Sequence, residues 1–244
     1  MVVNFLVLFL FSLAGGLVVF LFPKSGPRSY RLALVFSGAY LFGITIVHIL
    51  PELFIQSSAP GYVGIFVLLG FFLQQWLETY SQGVEHGHLH EHRGEHRQLS
   101  GIILLIALSV HAFLEGSLLS HPSSLHPIHK TGPLLWGIVL HKVPAAFALM
   151  SVIRCEDKRL WRSIVYLLIF ALASPAGMLL GNYFVTNELL SSYALTMIFA
   201  VVSGNFLHIS TTIVFESNEH HKLNYKKWAV AILGAGIAVI LEIL

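Results

Sequence analysis

Three residues stand out for what they could bind. His111 and Glu115 are four apart in the stretch Ser109-Val110-His111-Ala112-Phe113-Leu114-Glu115-Gly116. On a helix this spacing sets an imidazole and a carboxylate on one face, one turn apart. His141 opens the stretch His141-Lys142-Val143-Pro144-Ala145-Ala146 in the next apolar run. His111 lies nine residues in from Ser120, and His141 lies eight in from Pro133. At ~1.5 Å per helical residue, both are about 13 Å from a shared boundary. Two imidazoles and a carboxylate at one depth make a donor set for a borderline divalent ion such as zinc.

Both runs are long and apolar enough to cross a bilayer, and ionisable groups cost most at its centre. Glu115 at that depth needs a cation, a proton or a salt-bridge partner. The plain alternative is a neutral Glu115 bonded to a neighbouring helix, but an imidazole one turn away favours an ion. His141 alone would read as a satisfied core histidine; its matched depth with His111 makes it a ligand candidate. Lys142 is the odd member. As an ammonium it cannot ligate metal; it repels a second divalent ion and can pair with Glu115 when the site is empty. One ion is therefore expected rather than two. The competing reading is a lysine that snorkels to an interface, which its depth disfavours.

Further histidines are spread along the chain. His48 and Glu52 repeat the four-residue spacing, as an entrance, a contribution to the central site or a structural pair. His208, with Thr211 and Thr212 one turn on, either joins the pathway or bonds between helices. The tract Glu85–His96 holds His86, His88, His90, His92 and His96, alternating with Glu. Such a tract binds metal with moderate affinity, to receive or sense an ion, or only adventitiously. His121, His126 and His129 lie between the fourth and fifth apolar runs, where they could gather ions.

The elements that must position these residues are membrane helices. Of 244 residues, 56% are hydrophobic and only 11% charged, against about 25% charged in a soluble domain. Eight apolar spans are expected: about Val3–Phe22, Leu32–Ile55, Gly61–Leu77, Gly101–Ser120, Pro133–Ile153, Ile164–Val185, Ser192–Phe215 and Trp228–Leu244. They are too long for barrel strands, so the fold class is all-α, a polytopic membrane protein of eight transmembrane helices. The N-terminal run lacks a basic flank and is too long for a typical signal sequence, so it is taken as the first span. Residues 1–244 form one transmembrane domain, with the His-rich loop 80–99 inside it. Pro51, Pro144 and Pro175 are expected to break their spans, as binding regions of transporters often do. Tolerance of Pro in membrane helices is the plainer reading of these positions.

Twelve of the fourteen Lys and Arg fall in odd-numbered loops; Lys130 alone lies in an even one, and Lys142 inside a span. By the positive-inside rule the odd loops are cytoplasmic and both termini extracytoplasmic. The loop 80–99 is then cytoplasmic. The net charge of +2 argues against nucleic acid as a partner, and the single cysteine, Cys155, excludes an intrachain disulfide and Cys-based zinc motifs.

These patterns resemble the ZIP (Zrt/Irt-like) family of divalent-metal transporters over essentially the whole chain. His111, Glu115 and Gly116 are similar to its fourth-span His-x-x-x-Glu-Gly, and His141 with Pro144 to its fifth-span His-x-x-Pro. His48, Pro51 and Glu52 are similar to its second-span His-x-x-Pro-Glu. The Ser174-Pro175-Ala176-Gly177 stretch and Gly204-Asn205-Phe206-Leu207 also look like the family. The resemblance implies a ZIP-type helix bundle, flow of metal into the cytoplasm through elevator-like or rocking movement, and commonly a homodimer. Many members hold two adjacent metals, using Asn or Ser after the fourth-span His and Glu after the fifth-span Pro. Here those places are Ala112 and Ala145, and Lys142 stands where an acidic residue is frequent.

The expectation is thus a multi-pass transporter, in the plasma (cell inner) membrane, carrying Zn²⁺, with Cd²⁺, Fe²⁺ and Mn²⁺ as the other ions such donors take. Its rivals are a membrane-embedded zinc-dependent hydrolase, a haem-binding electron carrier and a metal sensor built on the His-rich loop.

Overall fold

The computed structural model describes residues 1–21, 31–81, 101–120, 132–156, 159–216 and 225–243. Among these residues every regular element is a helix: α1 (Val2–Leu21), α2 (Arg31–Ile44), a π-helical turn (Thr45–Ile49), α3 (Leu50–Gln56), α4 (Pro60–Ser81), α5 (Gly101–Leu118), α6 (Gly132–Glu156), α7 (Leu160–Thr186), α8 (Ser192–Glu216) and α9 (Tyr225–Ile243). α2, the π-turn and α3 run on as one apolar span, Leu32–Gln56.

Among the described residues, seven helical spans are long and apolar enough to cross a membrane. α9, the expected eighth span, falls outside that group: any 18-residue stretch of its 19 residues carries Lys226, Lys227 and Glu242. The chain is a multi-pass helical membrane protein. Large apolar side chains such as Ile65, Leu68, Phe72 and Trp76 of α4 are exposed on its outside, as a lipid-facing surface requires, since lipid is as apolar as leucine.

The expected interruptions are a point of correction. Pro144 and Pro175 lie inside α6 and α7, which continue through them. A membrane helix survives an internal Pro because neighbouring helices resatisfy the freed backbone groups. Among the described residues only the second span changes its winding, at Thr45–Ile49, with Leu50 between that turn and Pro51. Such π-turns widen a helix by one residue per turn and redirect side chains.

The helices pack in two groups. α5 lies along α7 and α1 along α6; α4 lies along α8 and α2 along α9. α1 also touches α7, and α2 touches α8. Contacts between the groups run mainly through α2 against α6 and α4 against α5. Inside each group, glycines let backbones meet. A Cβ on Gly116 would collide with the Ser174 carbonyl and one on Gly177 with the Phe113 carbonyl, so α5 and α7 touch main chain to main chain. Small residues at such seams are how membrane helices gain close packing without a hydrophobic drive.

Candidate metal centre

The α5–α7 contact and the α1–α6 packing put α5 and α6 side by side at mid-length. Gly15 of α1 meets the backbone of Val143, which backs α6 immediately after His141 and Lys142. His111, Glu115, His141 and Lys142 are all buried, each 3% exposed or less.

Their side chains converge on the carboxylate. His111 Nε2 lies 2.8 Å and His141 Nε2 3.7 Å from the same oxygen, Glu115 Oε1. The two imidazole rings stand edge to face, with centroids 5.8 Å apart and planes at 88°. One donor atom from each of the three residues lies within 4.8 Å of the others, and this is the one such group of three or more among the described residues. A tetrahedral ion with ligands at ~2.1 Å keeps them about 3.4 Å apart. The spacings of 2.8 and 3.7 Å bracket that value, so small side-chain rotations suffice to seat an ion. Three protein donors leave one tetrahedral position open for water or an incoming ligand.

Lys142 takes the other side of the carboxylate. Its Nζ donates to Glu115 Oε2 at 3.3 Å, donates a short bond to Ser174 Oγ, and sits 5.1 Å from the centre of the Phe170 ring. Ser174 Oγ in turn donates to the Ala112 carbonyl at 2.5 Å. The ammonium is therefore held within the protein and does not snorkel. Glu115 is divided, with Oε1 toward the imidazoles and Oε2 toward the cation.

The remaining candidates lie in the other helix group. His48 sits in the π-turn, with Nδ1 2.9 Å from Glu242 Oε1 of α9 and Nε2 3.7 Å from Glu52 Oε2. Gln56 Nε2 donates to Glu52 Oε1 at 2.9 Å. Thus His48 and Glu52 do face each other, but neither joins the group around Glu115. His208 of α8 lies 2.6 Å from Glu78 Oε2 of α4, with its ring against Phe71. Thr211 and Thr212 turn their hydroxyls onto carbonyls of α8 itself, including that of His208. Glu78 and Glu242 are partners that sequence reading misses, because only the folded helix pairs bring them to histidines so distant along the chain. His86, His88, His90, His92 and His96 lie outside the described residues, as do His121, His126 and His129.

Comparison with known proteins agrees with this architecture. The ZIP zinc transporter family matches residues 78–242, the part that holds α5 through nearly all of α9. Zinc transporter ZIP9 of Xenopus tropicalis is 31% identical over 164 residues, 65% of this chain and 54% of that protein. Zinc transporter ZIP9 of Micropogonias undulatus is 32% identical over 157 residues, 62% of this chain and 50% of the relative. Protein zntD of Dictyostelium discoideum is 28% identical over 172 residues, 65% of this chain and 25% of its own length. The chain thus spans between a quarter and about half the length of these curated relatives. With the matched region covering most of the chain, and with its helices and buried His–Glu cluster in place, the chain belongs to the ZIP zinc transporter family.

Proposed function

We propose that this protein carries a divalent metal ion, Zn²⁺ above all, across a membrane through a single mid-membrane site made of His111, Glu115 and His141. The observation that carries the reading is the shared oxygen Glu115 Oε1, which faces two buried imidazoles at once. A buried carboxylate with that surrounding is built for a cation that two neutral imidazoles can help to hold. Membership of a zinc transporter family supports transport, and supports zinc as cargo. Cd²⁺, Fe²⁺ and Mn²⁺ are further cargo that imidazole and carboxylate donors accept.

The site holds one ion because Lys142 fills the side of Glu115 where a second dication would sit, and Ala112 and Ala145 offer no donor there. The ion sheds water as the three side chains replace its shell. Movement of the helix group α1, α5, α6 and α7 against the other then exposes it to the opposite side. The division into two groups, each with its own backbone contacts, supports that movement. Lys142 competes for Glu115 and so promotes release. Flow runs into the cytoplasm, with the termini outside, an orientation supported by the concentration of Lys and Arg in odd loops. The His-rich loop 80–99 receives the ion there, and His48, Glu52 and His208 serve the pathway as accessory groups. The chain works as one transmembrane domain in the plasma membrane, as a homodimer.

A zinc hydrolase would need a free base beside its metal-bound water. The cluster offers one carboxylate, Glu115, which this reading uses as a ligand, and the family is one of transporters. In proteoliposomes, the wild-type chain should take up labelled Zn²⁺, and Glu115→Ala, inserted in equal amount, should take up none. Equal uptake by the two proteins would overturn the assignment.

A further inference from the structure

We infer that Ser174 is a positioning residue for the ion site, acting through Lys142 by holding its ammonium against Glu115 Oε2 and away from the oxygen shared by the imidazoles. This rests on the reading of His111, Glu115 and His141 as the seat of the ion.

The argument begins in the backbone. Gly116 has no side chain, and that lets the Ser174 main chain lie directly on α5. At this approach the Ser174 hydroxyl reaches the Ala112 carbonyl, one turn before Gly116, at 2.5 Å. A hydroxyl has one proton and two lone pairs. Once its proton is committed to Ala112, the oxygen can only accept, and the group that donates to it is Lys142 Nζ. Ser174 is completely buried, so water does not compete for it. The Phe170 ring stands 5.1 Å from the same nitrogen and offers its negative π-face to the cation. Hydroxyl and ring together hold the ammonium on the α7 side of the carboxylate.

The consequence is a division of labour within one carboxyl group. With the ammonium at Oε2, 3.3 Å away, Oε1 stays open to the imidazole side. Without the hydroxyl, Lys142 loses its anchor on α7. The flexible four-carbon stem then lets the ammonium swing across the carboxylate, where it competes directly with the ion. Outer partners that orient a metal-binding group typically change affinity by roughly 10–100-fold when removed.

The test uses Co²⁺ binding to the purified full chain in detergent, followed by the cobalt absorption bands and by titration. Ser174→Ala should weaken Co²⁺ binding roughly tenfold, with one ion per chain retained, while Ser174→Thr, which keeps the hydroxyl, should bind close to wild type. In a Lys142→Met background, where nothing is left to position, Ser174→Ala should have no effect. An equal loss in both backgrounds would show that Ser174 acts on helix packing alone and overturn the inference. Glu115→Ala serves as the reference. If it binds Co²⁺ like wild type, the ion seat itself is wrong. If it loses binding while Ser174→Ala matches wild type, only the role of Ser174 fails.

Discussion

The two helix groups bury the same chemistry in different ways. In the group α2, α4, α8 and α9, each imidazole meets a carboxylate from the facing helix: His48 with Glu242 at 2.9 Å and His208 with Glu78 at 2.6 Å. In the group α1, α5, α6 and α7, one carboxylate is divided among two imidazoles and an ammonium. A matched pair joins two helices. An over-subscribed carboxylate instead faces three side chains at once and binds no single partner exclusively. The comparison separates pairs that link two facing helices from a cluster gathered on one carboxylate.

The sharpest way to break this contrast is Glu115→Ala, the variant already set against wild type in uptake. Bound Co²⁺ should fall to background with it, whereas removing a carboxylate from the other group should not do this. Next in size is Gly116→Leu. Its side chain has to enter the Ser174 backbone, and overpacking of this kind costs about 3 kcal/mol or more. Reduced yield of folded protein and a lower Tm in detergent should follow; an unchanged Tm would show that the α5–α7 contact is looser than described. Lys142→Met comes third. With the competing cation gone, Co²⁺ should bind roughly tenfold more tightly, and zinc turnover should slow as release becomes harder, with a change of this order set by the charge it removes from the ion's neighbourhood. Weaker binding would mean that the ammonium supports the site. The smallest effects belong to Glu242→Gln and Glu78→Gln. An interhelical polar contact in a membrane is worth about 0.6 kcal/mol on average, so thermal stability should drop slightly and Co²⁺ affinity should hold within about threefold. A loss of binding as large as that of Glu115→Ala would erase the distinction between the groups.

How far the sequence foretold this arrangement depends on distance along the chain. The helical segments were legible from long apolar runs, with ends within a few residues of those observed among the described residues, although α9, at the eighth expected span, falls outside the membrane-crossing group. The approach of His111, Glu115 and His141 was legible because two come from one helix turn and the third from the next span at equal depth. The contact of Lys142 with Glu115 followed from the same register. Glu242 and Glu78 were not legible as partners, since 194 and 130 residues separate them from His48 and His208. Only the pairing of α2 with α9 and of α4 with α8 brings them in. Ser174 was visible merely as part of a Ser-Pro-x-Gly stretch taken for a break. The helix continues there, and the significance of the residue lies in the neighbouring Gly116, whose missing Cβ has no signature in the pattern of apolar residues. The π-turn at Thr45–Ile49 likewise has no periodic signal, being one residue inserted into an otherwise ordinary apolar run.

The pairing of Lys142 with Glu115 has an electrical consequence for the return journey. On the proposed transport cycle, an empty seat with Lys142 and Glu115 both ionised carries one formal positive and one formal negative charge, so its return moves no net charge through the field. A loaded seat adds two positive charges, each worth about 2.3 kcal/mol per 100 mV traversed. In that proposed cycle, a membrane potential negative on the cytoplasmic side favours the loaded stroke and leaves the empty one unaffected.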